Sequence, residues 1–190
     1  MPALAPNPRP LWLLDIDGVL LPDLRGRHRL DTTAWREWHH ATVVDQEGKA
    51  FEVSWSPVVV EAVRHAIESG VEVQFLSTWL GSSPAVTEAL GLPPIPWLDF
   101  DPSPTVMPWP KLLVARNEAA NRPLLWTDDH IVSEAGAEDW VKQRRASTLW
   151  FAPQLRIGLT QRMVREIREW TDRHAPAPTA TPDPSEEPAA

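Results

Sequence analysis

The sequence predicts an α/β domain whose mostly parallel sheet is covered on both faces by helices. Two observations carry this reading. Apolar runs of strand length alternate with helix-like segments along the chain. Three of those runs also deliver polar residues directly past their ends, at Asp15, Ser77 and Asp128. At 190 residues the chain fits one domain with a real core, and its 43% apolar and 23% charged content is that of a globular protein.

Residues 1–10 carry four prolines and read as an irregular lead-in. Leu11–Ile16 is a short apolar run ending in Asp-Gly, hence a buried strand and a turn. Thr32–His40 has helical character. Val43-Val44 and Phe51–Trp55 flank Asp45-Gln46-Glu47-Gly48-Lys49, the pattern of a β-hairpin with a Gly-containing loop. Ser56-Pro57 then opens a helix, with Ser as N-cap and Pro in the first turn. Its apolar stripe is Val59, Val63, Ala66 and Ile67, and Gly70 stops it. Val71–Leu76 is the next strand, Ser83–Leu90 a short helix ending at Gly91, and Ile95–Leu98 a candidate third strand. Pro110–Ala120 is a helix with Lys111 in its first turn. Leu124–Thr127 is a strand, Ile131–Arg144 a helix and Thr148–Phe151 a strand. Thr160–His174 closes the domain as an amphipathic helix burying Met163, Ile167 and Trp170. Residues 175–190 are Pro, Ala, Thr and acid, and read as a disordered tail. The folded body is therefore expected over 11–174.

Composition narrows the function classes. The chain has no cysteine, which excludes a thiolate metal site, a disulfide framework and a cysteine nucleophile. No apolar run is long enough to cross a membrane, because Asp15 and Asp17 cut the first one. The proline-rich N-terminal residues lack the apolar core of a signal peptide, so a cytoplasmic location is expected. Net charge is −8, of which the tail holds three acids and no base, leaving −5 for the rest. That balance disfavours broad electrostatic binding to nucleic acid. Fifteen of the eighteen basic residues are Arg, so a lysine at position 111 is a scarce residue in a telling place.

In an open α/β sheet, residues just past the carboxyl ends of the strands converge on one crevice. Asp15 is delivered there and is a competent nucleophile toward phosphorus. Asp17, two residues on, can protonate a leaving oxygen and then, ionised, activate water. Gly18 permits the sharp turn beneath them. Ser77, or its neighbour Thr78, can bind a phosphoryl oxygen, and Lys111 can neutralise charge from a helix start. Asp128 is a candidate Mg²⁺ ligand with Asp15 and the backbone carbonyl of Asp17, and Asp129 stands behind it. The alternative is that one of the pair caps the next helix; capping explains one Asp well and two adjacent ones less well.

These four stretches resemble the motifs of the haloacid dehalogenase (HAD) superfamily over roughly 11–155. Leu13–Leu20 is similar to its strand followed by Asp-x-Asp-Gly. Ser77 is similar to its strand-end Ser or Thr, Lys111 to its lysine near a helix start, and Asp128-Asp129 to its paired acids. The resemblance implies a Rossmann-like three-layer sandwich, Mg²⁺ dependence and an aspartyl-phosphate intermediate. The acid at Asp17 resembles the phosphatase branch, so a hydrolase of phosphoric monoesters is implied.

The spacing bears on the family's cap domains. Only 59 residues separate Asp17 from Ser77, and 33 separate Ser77 from Lys111. A capless or minimally capped enzyme with a hairpin flap is expected, open to a large substrate or to a closing partner. Trp79, soon after the second motif, resembles small capless HAD domains linked to RNA repair, which makes a nucleotide or phosphate-ended RNA a candidate substrate. Arg25-Gly26-Arg27-His28-Arg29 is a candidate contact for a polyanion, or a solvated loop. Trp79 and Trp109 are candidates for stacking, and His39-His40 for a substrate contact or plain surface. Two other readings stand beside the phosphatase: a non-catalytic partner-binding module on the same fold, and a phosphotransferase to an acceptor other than water.

Overall fold

Leu11–Leu14 forms strand β1, and none of its four side chains is exposed. A strand buried on both faces must be apolar throughout, which is why the run reads Leu-Trp-Leu-Leu without alternation. The structure is a computed structural model and describes residues 8–24, 29–102 and 110–176. The remaining strands are β2 (His39–Val44), β3 (Ala50–Trp55), β4 (Glu72–Phe75), β5 (Leu124–Thr127) and β6 (Thr148–Phe151). The helices among the described residues are α1 (Pro57–Glu68), α2 (Ser83–Ala89), α3 (Pro110–Ala119), α4 (Ala137–Gln143) and α5 (Gln161–His174).

The main sheet has the order β4-β1-β5-β6, and every pair in it is parallel. The register sets Leu14 level with Phe75 on one side and with Thr127 on the other. Side chains divide by parity. Trp12, Leu14, Phe75 and Leu125 face a core completed by Val59 and Val63 of α1 and by Val164, Ile167 and Trp170 of α5. Leu11, Leu13, Leu124 and Trp126 face the opposite core with Leu112, Ala115 and Ala119 of α3 and Val141 of α4. The result is the expected three layers in a Rossmann-like arrangement. The hairpin β2–β3 is a separate antiparallel pair that leans on the first core through Val43, Val53 and Trp55.

Local signals explain the helix bounds. Ser56 caps α1 by accepting from the Val58 N–H at 3.3 Å, with Pro57 in the first turn. At its end the Ser69 and Val71 N–H groups return to the carbonyls of His65 and Ala66. Thr160 caps α5 by accepting from the Met163 N–H at 3.4 Å.

Four expectations need correction. Thr32–His40 is not a helix. Asp31 accepts from the Thr33 N–H and hydroxyl at 2.9 and 2.6 Å, making a local turn. Trp35 is then buried with its indole N–H on the Leu159 carbonyl, and His39 and His40 already pair with Trp55 and Ser54 in β2. Long-range pairing of an aromatic stretch outweighs its helical spacing. Ile95–Leu98 makes one bridge, Phe75 with Trp97, rather than a strand, because Pro93, Pro94 and Pro96 have no N–H to extend a ladder. The helix expected from Ile131 begins only at Ala137. Ser133 bonds the His130 carbonyl instead, and Gly136 holds φ at 82°. In α5, Met163 is half-buried, and Val164 takes the core position. The first seven residues, Arg25 to His28, Trp109 and 177–190 lie outside the described residues.

At the amino end of the sheet, Arg122 bonds Glu72 at 2.7 Å and the Arg9 carbonyl at 2.8 Å, tying the lead-in to β4. Burial pushes the Glu72 carboxyl up, but the hydrogen bond and charge of Arg122, with Gln74 and Arg9, outweigh it and hold the group below its ordinary range. Such a carboxylate adds stability above its unfolded pKa and loses that contribution as pH falls through the folded one. Glu72→Gln is therefore expected to lower stability at neutral pH by about 0.5 kcal/mol, given the pair's exposure. Urea melts should show the difference shrinking below the unfolded glutamate pKa and vanishing at more acid pH.

Candidate functional site

Asp15 and Asp128 continue two adjacent strands by one residue. The Asp15 N–H donates to the Thr127 carbonyl and the Asp128 N–H to the Phe151 carbonyl, both at 3.0 Å. Because the ladder persists, side-chain alternation persists with it. Asp15 follows the parity of Leu11 and Leu13, and Asp128 that of Leu124 and Trp126. Both carboxylates thus emerge on the face covered by α3, whose first turn carries Lys111. The Lys111 ammonium donates to Asp15 Oδ2 at 2.6 Å and to Asp128 Oδ2 at 2.8 Å. All three residues are buried, with Asp128 fully inaccessible.

The second oxygen of each acid is also held. Asp15 Oδ1 accepts from the Ile16 N–H at 2.7 Å, and Asp128 Oδ1 from the His130 N–H at 2.9 Å. Beyond β1 the chain turns tightly, with the N–H groups of Leu20 and Leu21 both on the Ile16 carbonyl. Gly18 makes that turn at φ 70°, and a Cβ there would lie 2.9 Å from the Asp129 carboxylate. Glycine is required twice over, for the backbone conformation and for the approach of the first motif to the fourth.

Asp15, Asp128 and Asp129 each offer a carboxylate oxygen, and these lie within 4.8 Å of one another. Asp129, expected to stand behind the metal ligands, shares their cluster. The Asp17 carboxylate is not in that cluster, and the residue is half-buried on the wall of an adjoining cleft. Three carboxyl groups gather around one ammonium, with the His130 ring 3.7 Å from the third, in a place nearly closed to water. The electrostatics carry that imbalance. Burial, joined by the charge of Asp15, raises the Asp128 carboxyl against the pull of Lys111 and the His130 N–H. Burial likewise raises Asp129. Burial would lower Lys111, but the two carboxylates outweigh it and keep the ammonium charged. A compact set of hard oxygen donors of this kind could hold a hard divalent cation.

Ser77 is buried just past β4, its hydroxyl accepting from the Trp79 N–H at 3.5 Å. Thr78 is exposed and lines the cleft. Trp79 is half-buried and packs on Phe51 of the hairpin, with ring centroids 5.2 Å apart. His39 and His40 are exposed on β2, with His40 bonded to Ser54 at 2.8 Å. The cleft measures about 710 Å³ and is walled by Asp17 and Leu21–Leu24, by the hairpin and by Thr78–Ser82. The hairpin was expected as a flap, but His130, whose N–H donates to Asp128 and whose ring lies 3.7 Å from Asp129, was not singled out by the sequence. His130 carried a weak signal, since it directly follows the paired acids. Gln46, whose side-chain amide donates to the Gly81 carbonyl, carried none, because that partner is far away in sequence.

No protein-family model matches the chain, and no curated protein matches it. Among the described residues, no helix is long and apolar enough to cross a membrane.

Breaking a buried pair by removing one partner leaves uncompensated charge and costs about 3–5 kcal/mol. Lys111→Met is expected to destabilise the protein on that scale in metal-free buffer. Urea unfolding checks it, and a loss below about 1 kcal/mol contradicts the buried bridge.

Proposed function

We propose that the chain is a Mg²⁺-dependent phosphomonoester hydrolase of the HAD type. The observation that carries the reading is the meeting of Asp15, Lys111 and Asp128, three residues far apart in sequence, within 2.8 Å contacts at the sheet's carboxyl edge. That edge lies where the order β4-β1-β5 reverses direction from the central strand, the place where open α/β sheets bind ligands.

In the first step an Asp15 oxygen attacks phosphorus, and the bond from phosphorus to the leaving oxygen breaks. Asp17 gives its proton to that oxygen. In the second step the ionised Asp17 takes a proton from water, whose oxygen attacks the same phosphorus. The bond to Asp15 breaks and inorganic phosphate leaves. Lys111 and the hydroxyl of Ser77 or Thr78 bind phosphoryl oxygens, with Lys111 offsetting charge on Asp15 as it turns to the substrate. Asp15, Asp128 and the Asp17 carbonyl would hold Mg²⁺, with Asp129 adding charge beside them. The ion supplies positive charge where negative charge builds on the phosphoryl group. The hairpin β2–β3 takes the place of a cap as a flap beside the crevice.

Release of phosphate from para-nitrophenyl phosphate is expected in Mg²⁺ and not in EDTA. Asp15→Asn should reduce it by about 10³-fold or more, since the nucleophile is gone. Unchanged turnover in that variant overturns the reading. Asp17→Asn should slow turnover by about 10²–10⁴-fold while Mg²⁺ still binds, as followed by tryptophan fluorescence.

A further inference from the structure

The hairpin does not stand free over the cleft. Its turn is ordered from within, since Asp45 Oδ1 accepts from the N–H groups of Glu47 and Lys49 at 2.9 and 2.8 Å. From this turn Gln46 reaches across to the segment after β4. Its side-chain amide donates to the Gly81 carbonyl at 2.6 Å, and its backbone N–H to the Ser82 hydroxyl at 3.2 Å. A Cβ on Gly81 would lie 2.7 Å from that amide nitrogen, so a side chain there would push the Gln46 amide aside. Phe51 against Trp79 is a third contact between the same two walls.

We propose that Gln46 is a specificity-determining residue. It latches the hairpin to the Trp79–Ser82 segment, and so fixes the width of a cleft that seats the leaving group of the phosphomonoester. The inference rests on the phosphatase reading for its chemistry. The geometry connects the two: Asp17, which in that reading serves the leaving oxygen, and Thr78 both line this cleft. Its volume of about 710 Å³ falls in the range that encloses a small molecule rather than a polymer. Phe51 and Trp79 give it an aromatic surface, and Asp23, Glu47 and Glu52 give it hydrogen-bond acceptors. The matching leaving group is a compact, ring-bearing alcohol with hydroxyl or amine donors.

Gln46 is exposed, so its substitution does not threaten the core. Gln46→Glu keeps the size and removes the donor, and Gln46→Ala removes the reach. Two esters serve as probes: methyl phosphate, whose leaving group is too small to span the cleft, and methylumbelliferyl phosphate, whose rings enter it. The expected result in both variants is a fall of about fivefold in the ratio of kcat/KM for the ring-bearing ester to that for methyl phosphate, carried by KM. Hydrogen exchange of the 46–49 amides should quicken about fivefold, with α1 and β5 unchanged. A constant ratio with both esters slowed alike reduces Gln46 to a structural role and overturns the proposal. Unchanged exchange overturns the latch itself, with or without activity. An unaltered chain that hydrolyses neither ester in Mg²⁺ overturns the phosphatase reading and the leaving-group role with it, while the exchange result still decides the latch.

Discussion

The arrangement depends on one buried ammonium shared by two buried carboxylates. Lys111 can bridge Asp15 and Asp128 only if β1 and β5 are adjacent, parallel and in register, and if α3 starts above their ends. Each condition is met by apolar packing elsewhere. Leu11, Leu13, Leu124 and Trp126 fix the sheet face, and Leu112, Ala115 and Ala119 seat the helix on it. The charges themselves are a poor source of stability, because desolvating them costs about as much as their attraction returns. The hydrophobic layer holds the ions together more than the ions hold the layer.

That ordering explains why the cluster is out of balance. A site built for stability would pair one acid with one base. Here a third carboxylate, Asp129, is pressed against the turn at Gly18, and its burial raises its pKa against the pull of His130. Local frustration of this kind persists when the surrounding structure enforces it, and it concentrates at functional sites. A divalent cation bound among these carboxylates would offset the excess.

The main architecture was legible because its signals are local or strictly periodic. The unbroken run at Leu11–Leu14, the Ser56-Pro57 helix start and the Asp45–Lys49 turn each act within a few residues. The catalytic candidates were legible for a related reason: a strand followed by a polar residue states both where a side chain is and which edge it reaches. Failures came where distant partners decide. Nothing near Trp35 announces that its indole will bond Leu159, or that His39 will pair with Trp55. Helical spacing at Ile131–Arg144 hid the side-chain bond of Ser133 and the left-handed Gly136. The burial of Lys111 was equally invisible, since a lysine in a first helical turn is by itself a surface residue.

The centre and the rim obey different physics. At the centre, contacts are short, buried and charged, so a single change there propagates through every neighbouring pKa. At the rim, Gln46 meets Gly81 in view of solvent, where a hydrogen bond contributes about 1 kcal/mol and can be lost without unfolding anything. On the proposed phosphatase reading, chemistry that must not vary is placed where the fold cannot change cheaply. Selection among substrates would then fall where it can, on a two-stranded hairpin too small to be stable alone and held by its contacts with the body. A site divided in this way would let leaving-group preference shift through the hairpin while the buried acids and Lys111 stay as they are.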